Sequence, residues 1–494
     1  MRWGPLLAAC GGLAALSLLL PSTPSFDPWG WLVWGREVVA LDLDTTSGPS
    51  WKPLPVLVTV LLSPAGELAP DLWLVVARTG WLAGMMLAFV AAARLAGPWA
   101  GVVACVALVL TPGVEARWIR FFFQGDSEPL LVALCLGAVL RHLDGHRSGA
   151  LVLGGLAALL RPEVWPFLGL YGLWLWRGDA SQRVAVTAVV GAVGLLWFGG
   201  DWLGSGSLWT GADRAQVLGA EVDRLSLVWE AVSGLVILPV WLMAAGCVAL
   251  ALRSREQLVL WLAGGALAWM GLVGAMTVVL GFAALGRFLA PPAAVLCVLA
   301  GAGAVRVVRL VGERAGAWRA AGQAPRAQSS GGAQPRRGGR AGWRPAAVPR
   351  GLLARPRVVR AGVAVLLLAM AVPLALPRAE QLGPQVEEAA ARDRLEDQLD
   401  LALRRAGGAQ TLLRCGGLAA DQAGLAINAQ PALAWKLDVR LADVPRFLGP
   451  RPGVVFTRVG GNRERTLSFL SRPGVRPLAR TEEWMVFAVD CRPG

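Results

Sequence analysis

Residues 26–39 read FDPWGWLVWGREVV and residues 47–55 read SGPSWKPLP, so that Asp27, Arg36, Glu37 and Lys52 fall between the first and second long apolar segments. Lys52 stands out. Arginine supplies nearly all the positive charge of the chain, and Lys436 is the only other lysine. An ammonium is a compact point charge well suited to a phosphate oxygen. Charged side chains gathered in a short stretch between apolar runs mark it as the place to look for chemistry.

Mean hydropathy is +0.54, and 55% of residues are hydrophobic against 16% charged, a composition of membrane proteins. Eleven apolar runs are read as spans, near residues 5–21, 70–93, 99–114, 128–141, 149–161, 163–176, 184–200, 227–251, 257–281, 288–305 and 361–377. Several are shorter than the roughly 20 residues that cross a bilayer without tilt or thinning. The fold class expected is an all-α polytopic membrane domain followed by a small α+β domain. The N-terminal run is read as a span and not as a cleaved signal or a lipid-attachment site at Cys10, because removing it would invert the charge parity of every later loop.

Short cytoplasmic loops are enriched in Arg and Lys. Arg94, Arg141 with Arg147, Arg177 with Arg183, Arg253 with Arg255, and the stretch from Arg306 to Arg360 all fall on one side, which becomes the cytoplasm. Residues 306–360 are rich in Arg, Gly, Ala and Pro and read as a disordered basic loop lying on anionic lipid. That loop carries most of the net charge of +14, so the high charge does not indicate a nucleic-acid partner. The organisation expected is a membrane domain over 1–305 with its first outer loop at 22–69, the basic loop, a last span at 361–377, and an extracytoplasmic domain over 378–494. In that domain EQLGPQVEEAAARDRLEDQLDLALRRAGG reads as an amphipathic helix, and TLLRC, VVFTRV and EEWMVFAVDC as strands. Cys415 and Cys491 are its only cysteines, and an oxidising compartment would join them.

His142 and His146 fall on the cytoplasmic side, and no HExxH, P-loop, GxSxG or paired CxxC motif occurs in a fitting context. Acid–base work therefore falls to carboxylates. Positive charge at outer span ends runs against the positive-inside tendency, yet Arg36, Lys52, Arg117, Arg120, Arg161 and Arg287 gather there. A lipid phosphate at the membrane surface would account for them, and so would pairing with Glu37, Glu115, Asp126 or Glu163. Asp27 before Pro28 also fits a helix cap with WGWLVWGREVVAL as an interfacial helix, and Asp126 or Ser127 fits a cap of the fourth span. Asp42 and Asp44 have the DxD spacing that can hold a divalent ion, or are simply solvated.

The order of these pieces resembles the GT-C superfamily of polytopic glycosyltransferases, in particular the family 39 branch of protein O-mannosyltransferases and aminoarabinose transferases. An early Asp is followed nine residues later by Arg36-Glu37, Lys52-Pro53-Leu54-Pro55 opens the next apolar stretch, Asp126 heads a Pro- and Leu-rich span, and Arg287-Phe288-Leu289-Ala290-Pro291 lies near the last spans. The match covers roughly residues 5–305, and Gly30 and Trp31 stand where the family carries polar residues after its acidic motif. The resemblance implies transfer of a sugar from a polyprenyl-phosphate donor to a glycan, lipid or protein acceptor at the outer face of the plasma membrane. It assigns Asp27 as general base, Asp126 as a second acid, Lys52, Arg287 and Arg36 as donor phosphate ligands, and Glu37, Arg161 and Glu163 as supporting residues. No nucleotide site is needed, and metal dependence stays open. A lipid-linked glycan transporter or flippase and a non-catalytic envelope assembly protein are the competing readings.

Overall fold

The computed structural model describes residues 3–110, 113, 117–178, 180–216, 221–283, 286–323, 356–420, 429–445, 452–460 and 473–491. The first part is helical: α1 (Trp3–Leu16), α2 (Phe26–Val39), α3 (Pro53–Leu62), α4 (Ala69–Ala96), α5 (Pro98–Leu110), α6 (Trp118–Gln124), α7 (Glu128–Leu143), α8 (Arg147–Ala158) and α9 (Trp165–Gly178). It continues with α10 (Arg183–Ser205), α11 (Thr210–Ala215), α12 (Arg224–Ser233), α13 (Leu238–Ser254), α14 (Gln257–Leu280), α15 (Ala290–Gln323) and α16 (Pro356–Glu380). Among the described residues five helical stretches are long and apolar enough to cross a membrane, or up to seven if the bent pairs α6/α7 (117°) and α12/α13 (80°) each count as one. The chain is a membrane protein, but eleven spans are not established: α1, α5 and α8 are apolar yet short.

The membrane core is built around α15, which packs against α13, α5, α4, α14 and α7. Small residues permit this closeness, as they do in membrane helix pairs generally. A Cβ on Gly301 would meet the backbone of α5 at Ala100 and Ala104, and one on Gly303 would meet Met243 of α13. The same helix corrects a boundary. It runs on to Gln323, where a disordered loop from 306 was expected, because valines and leucines continue at helical spacing and Arg306 is tied to Glu256 (2.7 Å) and to the Leu95 carbonyl (3.0 Å). Residues 324–355 of the expected loop lie outside the described residues.

The C-terminal part comprises α17 (Leu382–Arg405), α18 (Gly408–Leu413), β1 (Leu418–Ala420), α19 (Ala429–Leu437), β2 (Gly453–Arg458), β3 (Val475–Arg480) and β4 (Trp484–Val489). The sheet order is β1-β2-β4-β3, with β1 parallel to β2 and the other pairs antiparallel. VVFTRV and EEWMVFAVDC supply β2 and β4. TLLRC does not form a strand: Gly407 and Gly408, at φ of 103° and 80°, turn the chain out of α17 and start α18. Cys415 and Cys491 form a disulfide with their Cα atoms 5.6 Å apart.

Helix α2 is enclosed by protein. Residues Pro28 to Gly35 are buried all round, because one apolar cluster joins Trp29, Trp31 and Trp34 of α2 to Leu399, Trp435 and Leu441 of the C-terminal part. Gly35 brings α2 against α3 so closely that a Cβ there would lie 2.7 Å from the Thr59 backbone. The α2–α3 segment and the C-terminal part thus share a core.

Candidate active site

Four charged residues at the centre of the site each precede a proline: Asp27-Pro28, Lys52-Pro53, Glu128-Pro129 and Arg161-Pro162. The residue before proline is driven out of the helical region. Lys52 (φ −139°, ψ 110°) and Arg161 (φ −148°, ψ 129°) are accordingly extended just before a helix begins. Asp27 and Glu128 lie in the first turns of α2 and α7, where proline is tolerated because the first N–H groups have no helical acceptor. Each helix start therefore aims a charged side chain at a common point.

At that point Asp27 Oδ2 stands 3.2 Å from Arg287 Nη1 and 3.7 Å from Lys52 Nζ. Lys52 Nζ is 3.9 Å from Glu128 Oε1, and the same oxygen takes a close hydrogen bond from Arg161 Nη2. Arg161 Nη1 also lies 3.9 Å from Glu163 Oε1. Aromatic faces back the cations: Lys52 Nζ sits 4.8 Å from the Trp31 ring centre and Arg161 Cζ 4.2 Å from that of Phe288. Burial pushes the Lys52 ammonium down to about 8, reinforced by the Arg161 guanidinium and opposed by Glu128 and Asp27. An anion arriving beside Lys52 would hold it charged.

Lys52, Asp27, Arg161 and Arg287 line one cavity of about 250 Å³. Its remaining walls are mostly apolar, with tryptophan and phenylalanine rings among them, and come from α10, from the segment around α11, from α14 and from Trp165 and Phe288. The cavity thus combines a cationic end, a carboxylate paired to two of its cations, and an apolar lining. That is a place where a small anionic group with an apolar extension can bind.

The residues expected at the site divide. Asp27, Lys52, Arg161, Glu163 and Arg287 come together in this cavity. Asp126 is buried nearby, and its Oδ1 accepts the Ser25 hydroxyl at 2.7 Å. The capping readings do not hold for Asp27 or Asp126: Ser25 and Ser127 occupy the cap positions, with no side-chain cap bond at either. Glu128, not singled out from the sequence, is the acid that contacts Lys52 and Arg161, and Asp201 of α10 is a second addition to the lining.

Arg36 and Glu37 point elsewhere. Arg36 donates to the carbonyls of Ala434 (3.2 Å), Trp435 (3.2 Å) and Val439 (2.7 Å) and pairs with Asp438 at 2.8 Å. Glu37 accepts the N–H groups of Asp44 (3.0 Å) and Leu441 (2.9 Å). Both fasten α2 to α19 and the segment after it, so Arg36 does not reach the Lys52 cluster. Asp42 pairs with Arg440 at 3.4 Å, and Asp44 Oδ1 accepts the Thr46 N–H at 2.8 Å. Among the described residues no three His, Cys, Asp or Glu side chains are grouped as metal ligands. Arg120 lines a separate small pocket beside Glu388 and Arg392 of α17.

No protein-family model matches the chain, and no curated protein matches it in sequence. Solved structures do match. ArnT from Cupriavidus metallidurans in the apo state aligns over 98% of this chain and 97% of its own, at 15% identity and a TM-score of 0.54. The fold is that of the GT-C glycosyltransferases. The same ArnT bound to undecaprenyl phosphate aligns over 98% of both chains at 15% identity, with a TM-score of 0.50. The GT-C likeness therefore spans both the membrane helices and the C-terminal part, where the sequence resemblance reached only to about residue 305.

Proposed function

We propose that the chain is a membrane glycosyltransferase that moves a sugar from a polyprenyl-phosphate donor to an acceptor hydroxyl at the outer face of the plasma membrane. The observation that carries the reading is the pairing of Asp27 with both Lys52 and Arg287 at the cationic end of the cavity. ArnT, with the same fold, binds undecaprenyl phosphate, and a buried lysine beside two arginines suits such a phosphate in chemistry.

The donor phosphate binds Lys52 and Arg287, which releases Asp27 from part of its pairing. The Asp27 carboxylate then takes the proton of the acceptor hydroxyl as its oxygen bonds to the anomeric carbon. The bond from that carbon to the phosphate oxygen breaks, and polyprenyl phosphate leaves with the bonding pair. Its extra negative charge grows in the transition state, where Lys52 and Arg287 stabilise it. Glu128 holds Lys52 and Arg161 charged and in place, and Asp126 orients groups at the start of α7. The C-terminal part lies outside the cytoplasm, in keeping with its disulfide.

The test uses the purified protein with radiolabelled undecaprenyl-phosphate mannose and undecaprenyl-phosphate arabinose and bacterial membrane acceptors. Label is expected in acceptor with release of undecaprenyl phosphate, and Lys52→Ala is expected to lower donor affinity by at least tenfold. Donor moved intact across vesicles without transfer contradicts the proposal and supports a flippase.

A further inference from the structure

Arg78 takes no part in the proposed chemistry, yet it is fully buried in α4, within a stretch long and apolar enough to cross a membrane. Its guanidinium donates from Nε to the Phe122 carbonyl (3.2 Å) and from Nη1 to the Ser17 carbonyl (2.9 Å) and hydroxyl (3.1 Å), and its Cζ lies 4.7 Å from the Phe122 ring centre. None of these partners is a carboxylate. A leucine would fill the volume without taking a charge out of water, and an ionisable group within an apolar membrane helix is retained chiefly for function. The guanidinium holds its donors in a rigid fork, so it can tie two segments of backbone at once.

Those two segments carry the two acids that pair with Lys52. Ser17 directly follows α1 and stands ten residues before Asp27, and Phe122 stands six before Glu128. The last four carbonyls of a helix have no donor within it. In α6 two of them are taken from outside, Phe122 by Arg78 and Gln124 by the Ser25 N–H at 2.9 Å. Trp73 and Trp81, also of α4, donate to the carbonyls of Gly125 (2.9 Å) and Trp118 (2.6 Å). The first turn of α7 is pressed onto the same helix, since a Cβ on Gly80 would lie 2.9 Å from Leu130 Cα and one on Gly84 3.3 Å from the Pro129 oxygen. The 117° corner between α6 and α7 is thus fastened to α4 on both sides. Of these fasteners Arg78 alone carries charge and also holds Ser17.

We infer that Arg78 is a positioning residue: by bridging Ser17 and Phe122 it fixes the segments that enter α2 and α7, so that Asp27 and Glu128 stand beside Lys52 and keep it enclosed. Lys52 is 5% exposed, and the charges that act on it are Asp27, Glu128, Arg161 and Arg287. Loosening the corner opens that enclosure. The consequence for a bound phosphate rests on the site proposed above, whereas the enclosure of Lys52 does not.

Lys52 and Lys436 are the only lysines, so acylation of the intact protein in detergent, read at each lysine by peptide mass spectrometry, gives Lys52 an internal reference in α19. In Arg78→Leu the ratio of the Lys52 rate to the Lys436 rate at pH 7 is expected to rise at least fivefold, and affinity for undecaprenyl methyl phosphate to fall at least fivefold. Arg78→Lys keeps the charge but gathers its donors on one nitrogen, and is expected to raise the ratio as well. Leu87→Ala, at a position 3% exposed in the same helix, is expected to lower Tm and leave ratio and affinity within twofold of native. A native ratio in either Arg78 variant, or an equal rise in Leu87→Ala, overturns the positioning role. A raised ratio in both Arg78 variants, with native protein failing to bind the methyl ester, sustains the positioning role and overturns the phosphate site.

Discussion

At the residue scale the site depends on one buried ammonium. Lys52 is held near 8 by burial and by Arg161, so it is the group in the cationic end whose charge changes within the working range. Its folded value is depressed, and an anion binds only the charged form. Affinity for undecaprenyl methyl phosphate is therefore predicted to be constant below about pH 7 and to fall as pH rises through 8. Lys52→Ala should bind at least tenfold more weakly, about 1.4 kcal/mol, and lose that pH dependence. Glu128 is 1% exposed and faces both Lys52 and Arg161. Glu128→Gln leaves buried cations without their counter-charge, and breaking such a pair costs about 3–5 kcal/mol. A large drop in Tm is expected, and an unchanged melting curve would show that the pair is not structural. Asp27, Lys52 and Arg287 were legible because each sits in a spaced motif. Glu128 was not, since Asp126 shares its stretch and Gly125, at φ 67°, turns the chain so that Asp126 meets Ser25 and Glu128 meets Lys52. A signal was nevertheless present: within residues 1–305 a charged residue precedes proline four times, and all four lie at this site.

At the scale of elements the decisive contact is α2 against the C-terminal part. Arg36 and Glu37 were read as ligands or supports because they follow Asp27 at a family spacing, but their partners, Trp435 and Leu441, lie some 400 residues away, and no local pattern announces such a contact. The same distance hides from the sequence that this tryptophan-rich helix is enclosed by protein. Burial lifts the Glu37 carboxyl from 4.5 to about 7, against the two backbone N–H groups that favour its charged form. Because the folded value is raised, Glu37 contributes fully to stability below about 4.5 and that contribution is lost as pH rises through about 7. Protection of residues 429–445 from amide exchange, corrected for intrinsic rate, should fall between pH 5 and 8 in the native protein. In Glu37→Gln it should stay flat over that range; equal slopes would remove Glu37 from the latch.

At the scale of the molecule, the polytopic helical class and the strands β2 and β4 were legible from hydropathy and alternation. The span count was not, because the bent pair α12/α13 divides one apolar run between two directions. The end of α15 was missed for another reason: arginine near the end of a long helix looks like a disordered basic loop when only composition is considered. The Cys415–Cys491 disulfide closes a separation of 76 residues, and removing such a bridge costs roughly 2–5 kcal/mol. Reductant is expected to lower the temperature at which the C-terminal tryptophans Trp435 and Trp484 become exposed, with less effect on the membrane helices. Coincident loss of both would mean that the two parts unfold as one unit.

The central claim is that Asp27 removes the acceptor's proton beside a lipid phosphate held by Lys52 and Arg287. The direct measurement is transfer from radiolabelled undecaprenyl-phosphate mannose and arabinose to membrane acceptors by native protein and by folded Asp27→Asn, with donor affinity measured on the same preparations. The account predicts donor binding retained within about threefold and transfer reduced by 10²–10⁴, the range of general-base catalysis. Equal transfer by the two proteins would contradict it.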